Sequence, residues 1–315
     1  MGFFNVMFKP LILKSVGISC VRSVLAAAAL LPLLLLAAQS AWSHDFWIMP
    51  RPGLGQSGDK IELYLRVGEH FNGESVPNIP EWYQAFLHWR PQQAKPVKVV
   101  GELGDDPAGS LQPAQSGIHF ITYRSQPEST TLKPAKFNAY LRKNGLESIL
   151  ALRKARGESD DAGDELYIRC AKAMIAVGAL SAQDDQRATR RLGLDLELIP
   201  QVNPFYLNEG GELPVRLLYQ GEPLQGVRMV AQRRGYPAAA LEGRTDAEGE
   251  VRFQLPGAGE WLVTAVHMIA LSDAATGSQA GDVAFDEEGE ASAEWVVSAD
   301  WQSYWASLTF TLAGE

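Results

Sequence analysis

Cysteine is nearly absent from the 315 residues: Cys20 and Cys170 are the only two. A disulfide-stapled scaffold and a Cys-x-x-Cys metal site are both excluded. There is no His-Glu-x-x-His helix, no glycine-rich phosphate loop and no Gly-x-Ser-x-Gly elbow, so the familiar signatures of hydrolases, kinases and dehydrogenases are missing. Basic charge is scarce as well. Lys and Arg number 28 against 37 Asp and Glu, a net charge of −9, and a pI near 5.2 argues against nucleic acid or an anionic membrane as the main partner. No internal repeat of 20 to 50 residues is evident, which disfavours solenoids and propellers.

Acid is missing altogether from residues 1–43, which hold three basic residues, Lys9, Lys14 and Arg22. After Arg22 comes VLAAAALLPLLLLAA, residues 24–38, fifteen positions without a polar side chain and with Pro32 at the centre. The run is shorter than the roughly 20 residues of a membrane span and has the flanks of a secretory signal peptide. An uncleaved signal anchor is the alternative. Ala41-Trp42-Ser43 supplies small residues three and one positions before a cut, and Ala38-Gln39-Ser40 is a second choice. Cys20 precedes the apolar run and lacks the context of a lipid-attachment site. Cutting after Ser43 leaves 272 residues at −12, starting with His44, and places the chain in the periplasm.

What remains reads as mainly β, with two β-sandwich-like domains and a helical insertion between them. In residues 44–195, strands are expected at 45–49, 60–67, 83–89, 97–103 and 118–125; Ile61, Leu63, Leu65 and Val67 alternate with Glu62, Tyr64 and Arg66. A helical segment is expected at about 134–191. Phe137 and Leu141 share a face, Asn144-Gly145 is a left-handed break, and a helix over 146–156 follows. A third helix is expected from Asp164, with the stripe Leu166, Cys170, Ala173, Met174 and Val177, and the acids Asp160, Asp161, Asp164 and Glu165 capping its start. Cys170 then reads as a buried small hydrophobe. Residues 196–315 carry seven strand candidates, at 195–200, 213–219, 227–232, 250–255, 260–269, 293–298 and 304–312, the density of an immunoglobulin-like sandwich. No linker marks the boundary near 195.

All five histidines, His44, His70, His88, His119 and His267, lie beyond the apolar run. His44 is distinguished by position. As a first residue it offers an amine and a ring Nδ1 that chelate one ion together, a nitrogen-rich site suited to copper or nickel. The residues alone leave open the plainer reading, a cut that happens to precede a histidine. For a second ligand, His70 follows Gly68-Glu69 at a strand end, and His267 sits in the apolar Val263-Thr264-Ala265-Val266-His267-Met268, where an imidazole needs a partner. His119 and His88 rank lower. The acids Asp282, Asp286, Glu287, Glu288, Glu290 and Glu294 do not have calcium-loop spacing and read as a solvated loop. Asp300-Trp301-Gln302-Ser303-Tyr304-Trp305 reads as core or interface packing.

His44-Asp45-Phe46-Trp47-Ile48-Met49-Pro50, Gly68-Glu69-His70-Phe71, Lys136-Phe137-Asn138-Ala139-Tyr140-Leu141 and Tyr167-Ile168-Arg169-Cys170-Ala171-Lys172-Ala173 resemble the DUF4198 family. So do Asn203-Pro204, Gly221-Glu222-Pro223-Leu224, Trp261-Leu262-Val263-Thr264-Ala265-Val266-His267-Met268 and Ser303-Tyr304-Trp305. Cys170 departs from the small or aromatic residue expected there. The resemblance implies a NikM-like periplasmic component of cobalt or nickel uptake. It implies His44, His70 and His267 as metal ligands, and a membrane metal transporter or outer-membrane receptor as partner. The expected function is thus a non-enzymatic nickel- or cobalt-binding protein. The alternatives are a β-sandwich interaction module for a transporter or receptor, and a copper-binding protein or oxidase with an N-terminal histidine site, as in lytic polysaccharide monooxygenases. The alternating βα pattern of a two-lobed solute receptor is absent, so clamshell capture is not expected.

Overall fold

The computed structural model describes residues 44–271 and 299–314. The leader at 1–43, the strand candidate at 293–298 and the acidic segment from Asp282 to Glu294 lie outside the described residues.

Alternation along the chain builds the first layer. β1 (Asp45–Arg51) pairs antiparallel with β3 (Ile61–Glu69), which also holds β4 (Asn72–Val76) and β7 (Gly109–Leu111). Ile61, Leu63 and Leu65 point inward with Phe46 and Ile48. They meet Phe86 of β5 (Tyr83–Trp89), Ile121 and Tyr123 of β8 (Gly117–Ser125), and Ala171, Ala173 and Ile175 of β10 (Gly163–Val177). The short strands β2 (Leu54–Gly55), β6 (Val97–Lys98) and β9 (Glu128–Leu132) fill in edges. Of the strand expected at 97–103, only Val97 and Lys98 form one, and Val100 makes an isolated bridge to Ser110.

The second layer lies in the C-terminal part. β11 (Leu196–Pro200), β12 (Glu212–Tyr219) and β16 (Glu250–Gln254) form one sheet, with the two-residue β13 (Glu222–Pro223) at its edge. Facing it run β15 (Leu241–Arg244), β14 (Arg228–Arg233), β17 (Gly259–Ala270) and β18 (Trp301–Leu312), in that order. Leaving out β13, the first, second and fifth strands face the fourth, third, sixth and seventh. That is the Greek-key order of an immunoglobulin-like sandwich. Leu198, Leu217, Phe253, Trp261, Val263 and Leu308 fill its core.

The third expected helix is a strand. Gly163–Val177 forms β10, the centre of a ten-stranded sheet, pairing in parallel with β18 from Glu165↔Trp301 to Ala173↔Thr309 and antiparallel with β8. Ile168, Cys170 and Met174 face the second core, while Ala171, Ala173, Ile175 and Val177 face the first. A strand buried on both faces loses its polar alternation, so its apolar residues match helical spacing by accident. Cys170 is buried there at 1% exposure, and burial pushes its thiol up to about 12. Glu165, expected to cap a helix in solvent, is instead buried in β10 and accepts a 2.9 Å hydrogen bond from Tyr140 and another from Ser303.

Two helices do form as expected. α1 (Pro134–Lys143) starts on a proline that has no N–H to lose, carries Arg142 and Lys143 in its last turn, and ends at Gly145 with φ +70°. α2 (Glu147–Arg156) ends on Gly157 at φ +79°. Phe137, Tyr140, Leu141 and Ile149 pack against Val266, Met268, Trp301 and Trp305, so the aromatic run at 300–305 is core. α3 (Ala182–Ala188) opens with a Ser181–Asp184 capping box.

Candidate functional site

β1 begins at Asp45, opposite Gly68 on β3. Two residues later the chain turns back through His70 and Phe71, both left-handed at φ 54° and 57°, the geometry of a two-residue hairpin. Glycine flanks the turn by necessity: a Cβ on Gly68 would collide with the Asn72 carbonyl, and one on Gly73 with the Val67 carbonyl. Phe71 is buried edge-on against Trp47 at 5.5 Å, which leaves His70 exposed at the tip. Left-handed phenylalanine and histidine are costly, by about 1–3 kcal/mol each, and such conformations gather at functional sites.

The hairpin and the head of β1 frame a cleft of about 340 Å³ that includes Asp45, Glu69, His70, Lys143, Arg228 and Gln232. His44 Nε2 lies 3.6 Å from Glu69 Oε1, and Lys143 Nζ lies 2.5 Å from the same oxygen. Lys143 holds the Glu69 carboxyl below its ordinary range by that hydrogen bond. Desolvation pushes Asp45 up to about 6, with Lys143, His70 and Arg228 pulling the other way and Glu69 reinforcing it. Gln232 is 6% exposed, and its side-chain oxygen has no hydrogen-bond partner among the described residues. Gln232 contributes the cleft's unsatisfied acceptor.

Of the three expected ligands, the structure gathers His44 and His70 at this rim and leaves His267 elsewhere. His267 lies on β17 opposite Tyr304, on the face shared with Val263 and Ala265, its ring 4.7 Å from Tyr219. Of β17, the cleft takes Thr264, Ala265 and Val266 but not His267. Alternation turns the His267 side chain to the face opposite Thr264 and Val266, where its ring packs on Tyr219. His267 is half-buried, and desolvation pushes its ring down to about 4, the behaviour of a core histidine.

Imidazole nitrogens and carboxylate oxygens suit nickel, cobalt or copper. Among the described residues, however, no three His, Cys, Asp or Glu side chains converge as a ready ligand group. The rim offers donors in ones and twos, and any ion there needs a further ligand.

Sequence reasoning missed Lys143, Arg228 and Gln232. Lys143 closes α1, whereas Arg228 and Gln232 sit on β14 more than eighty residues later. Nothing local announces their meeting. It also ranked His88 and His119 low, yet these form a buried pair: His88 Nε2 is 2.8 Å from His119 Nδ1, the rings are stacked, and His119 Nε2 is 2.9 Å from the Gln115 carbonyl. The carbonyl can only accept, so His119 carries its proton on Nε2 and His88 donates to His119 Nδ1. Desolvation and the nearby Arg90 and Arg187 push both rings down, His88 to about 3.

Among the described residues no helix is long and apolar enough to cross a membrane. Comparison with curated proteins finds no match. Among solved structures, the chicken CNTN1 FN1–FN3 domains share 9% identity over 71% of this chain at a TM-score of 0.18, and the chain spans 62% of that structure's length. The D0–D1 domain of intimin shares 9% identity over 84% of this chain and 97% of its own, at a TM-score of 0.19. These likenesses are too slight to carry an argument about this protein. The sequence likeness is of another order: the model of the domain of unknown function DUF4198 matches residues 41–269, and the chain belongs to that family.

Proposed function

We propose that this protein is an exported, periplasmic transition-metal binding protein that holds nickel or cobalt at the head of β1 for uptake or homeostasis. The observation that carries the reading is the position of His44. Its Nε2 faces Glu69, the side from which a carboxylate orients a metal-bound imidazole whose other nitrogen ligates. With His44 as the first residue, Nδ1 and the terminal amine supply the two further donors that the rim lacks. His70, at the tip of the strained hairpin, is the nearest candidate for another ligand. Lys143 now neutralises Glu69, so an arriving cation competes with an ammonium already in place. His267 has no part in this arrangement. The NikM-like expectation supports the same reading, with a membrane transporter or receptor as partner.

The test is calorimetric titration of Ni²⁺ and Co²⁺ into protein that begins at His44 and into protein with one alanine added before it. The extended form is expected to bind at least tenfold more weakly. Equal affinity in both would overturn the chelate. No binding to either would leave the non-catalytic interaction module as the reading.

A further inference from the structure

A second cleft, of about 660 Å³, opens where β5, β6 and β8 meet the loop after β7. Its charge is one-sided. Lys60, Arg90 and Lys98 line it, and no Asp or Glu does, in a protein whose acids outnumber its bases. Lys60 is paired with Glu62 at 3.1 Å. Arg90 and Lys98 have no ion-pair partner among the described residues, and the Arg90 Nε is buried without a hydrogen bond. A buried N–H without an acceptor is costly, and the rest of this half-buried guanidinium is free to meet a ligand at the concave wall.

The floor is the His88–His119 pair. Both rings are neutral, so they add hydrogen-bonding groups without adding charge. Because His119 fixes the tautomer through Gln115, His88 Nδ1 is left as a lone-pair acceptor. The remaining wall is mixed, with Gln93, Ser110 and Gln112 beside an apolar strip of Val97, Val99 and Leu111. A bare inorganic anion would gain nothing from that strip, and a cation would meet three like charges.

We propose that this cleft binds a small organic carboxylate with an apolar body, its carboxylate on Arg90 with Lys98 close by and its hydrocarbon against Val99 and Leu111. The guanidinium fork matches a carboxylate in two parallel hydrogen bonds, and the volume lies within the range of small-molecule sites. This site is independent of the metal reading, since it shares no residue with the rim at His44.

The probe is 4-phenylbutyrate, with 4-phenylbutylamine as its matched cation and inorganic phosphate as a bare anion. Binding is followed by calorimetry and by the imidazole nitrogen resonances of His88 and His119. The carboxylate is expected to bind and to move both rings, and neither control to do so. Arg90→Gln is expected to lower the affinity at least tenfold with an unchanged thermal midpoint, and Lys98→Gln, at an exposed position, to lower it several-fold. Equal binding of the amine or of phosphate would overturn the proposal. So would unmoved histidine resonances, or unchanged affinity in both variants.

Discussion

Two positive charges of this acidic protein, one buried and one half-buried, are treated in opposite ways. At the seam between β10 and β11, Lys172 and Glu197 are 1% and 3% exposed and 2.7 Å apart. Glu197 also accepts the backbone N–H groups of Leu192 and Gly193, so every charge there is answered from within the chain. In the cleft at β5, Arg90 is half-buried beside two neutral imidazoles and nothing described answers it. A satisfied buried charge fixes structure, because removing either partner strands the other. An unsatisfied one at a cavity wall leaves an interaction for a ligand to complete. The rim at His44 lies between these extremes, with Glu69 neutralised by Lys143 but the Gln232 oxygen unpaired.

The strongest way to break this contrast is at the seam. Lys172→Met strands Glu197 and is expected to cost about 3–5 kcal/mol, roughly 10 °C in thermal midpoint for a domain of this size. Adding Glu197→Leu should recover much of it; a single variant as stable as the parent would remove the distinction. A smaller loss is expected in the cleft floor. His119→Phe leaves the His88 Nε2–H without its acceptor, at about 1–3 kcal/mol, measured by urea unfolding.

Acid sharpens the comparison further. His88 and His119 have folded-state values below the ordinary 6.5, so they bind fewer protons folded than unfolded. The stability they contribute is complete above pH 6.5 and drains as pH falls from there toward about 3. Glu165, raised to about 7 by burial, has the opposite sign, losing its contribution as pH rises from 4.5 through 7. A His88→Leu/His119→Leu variant should therefore lose less stability than the parent between pH 6.5 and 4, and an identical profile would show that the pair is not buried and neutral. The smallest effect is expected at Arg90. Without a partner to strand, Arg90→Gln should change stability by no more than about 0.5 kcal/mol, an order of magnitude less than Lys172→Met.

Strands with a period of two, or short apolar runs bounded by turn residues, were legible. β3, β5, β12, β14 and β17 lie within a residue or two of their expected bounds: half-burial writes a period of two into β3 and β5, and turn residues bound the more buried β12, β14 and β17. β10 was not legible. Its two buried faces erase that period, and its pairing with β18, some 130 residues later, and with β8 and β9 before it makes it a strand. The candidate site divides in the same way. His44 and His70 could be singled out because an expected cleavage junction and a strand end are local features. His267 was singled out too, but its side of β17 is set by register against β18, and that register turns it away from the cleft. His88 and His119 were ranked low because their meeting depends on the pairing of β5 with β8, where His88 stands opposite Ile121 and His119 falls diagonally across on the same face.

What the amino-acid order alone determined is what short-range chemistry controls: the β character of both halves, the two helices at 134–143 and 147–156, the strand end at Gly68-Glu69, and the scarcity of cysteine that leaves burial to hold the chain. The tertiary structure decided which charges find partners. Lys172 reaches Glu197, Lys143 reaches Glu69, and Arg90 reaches none among the described residues. The physical reason is that a charge's cost depends on what stands within a few ångströms of it, and here those neighbours come from strands and helices far apart in the chain.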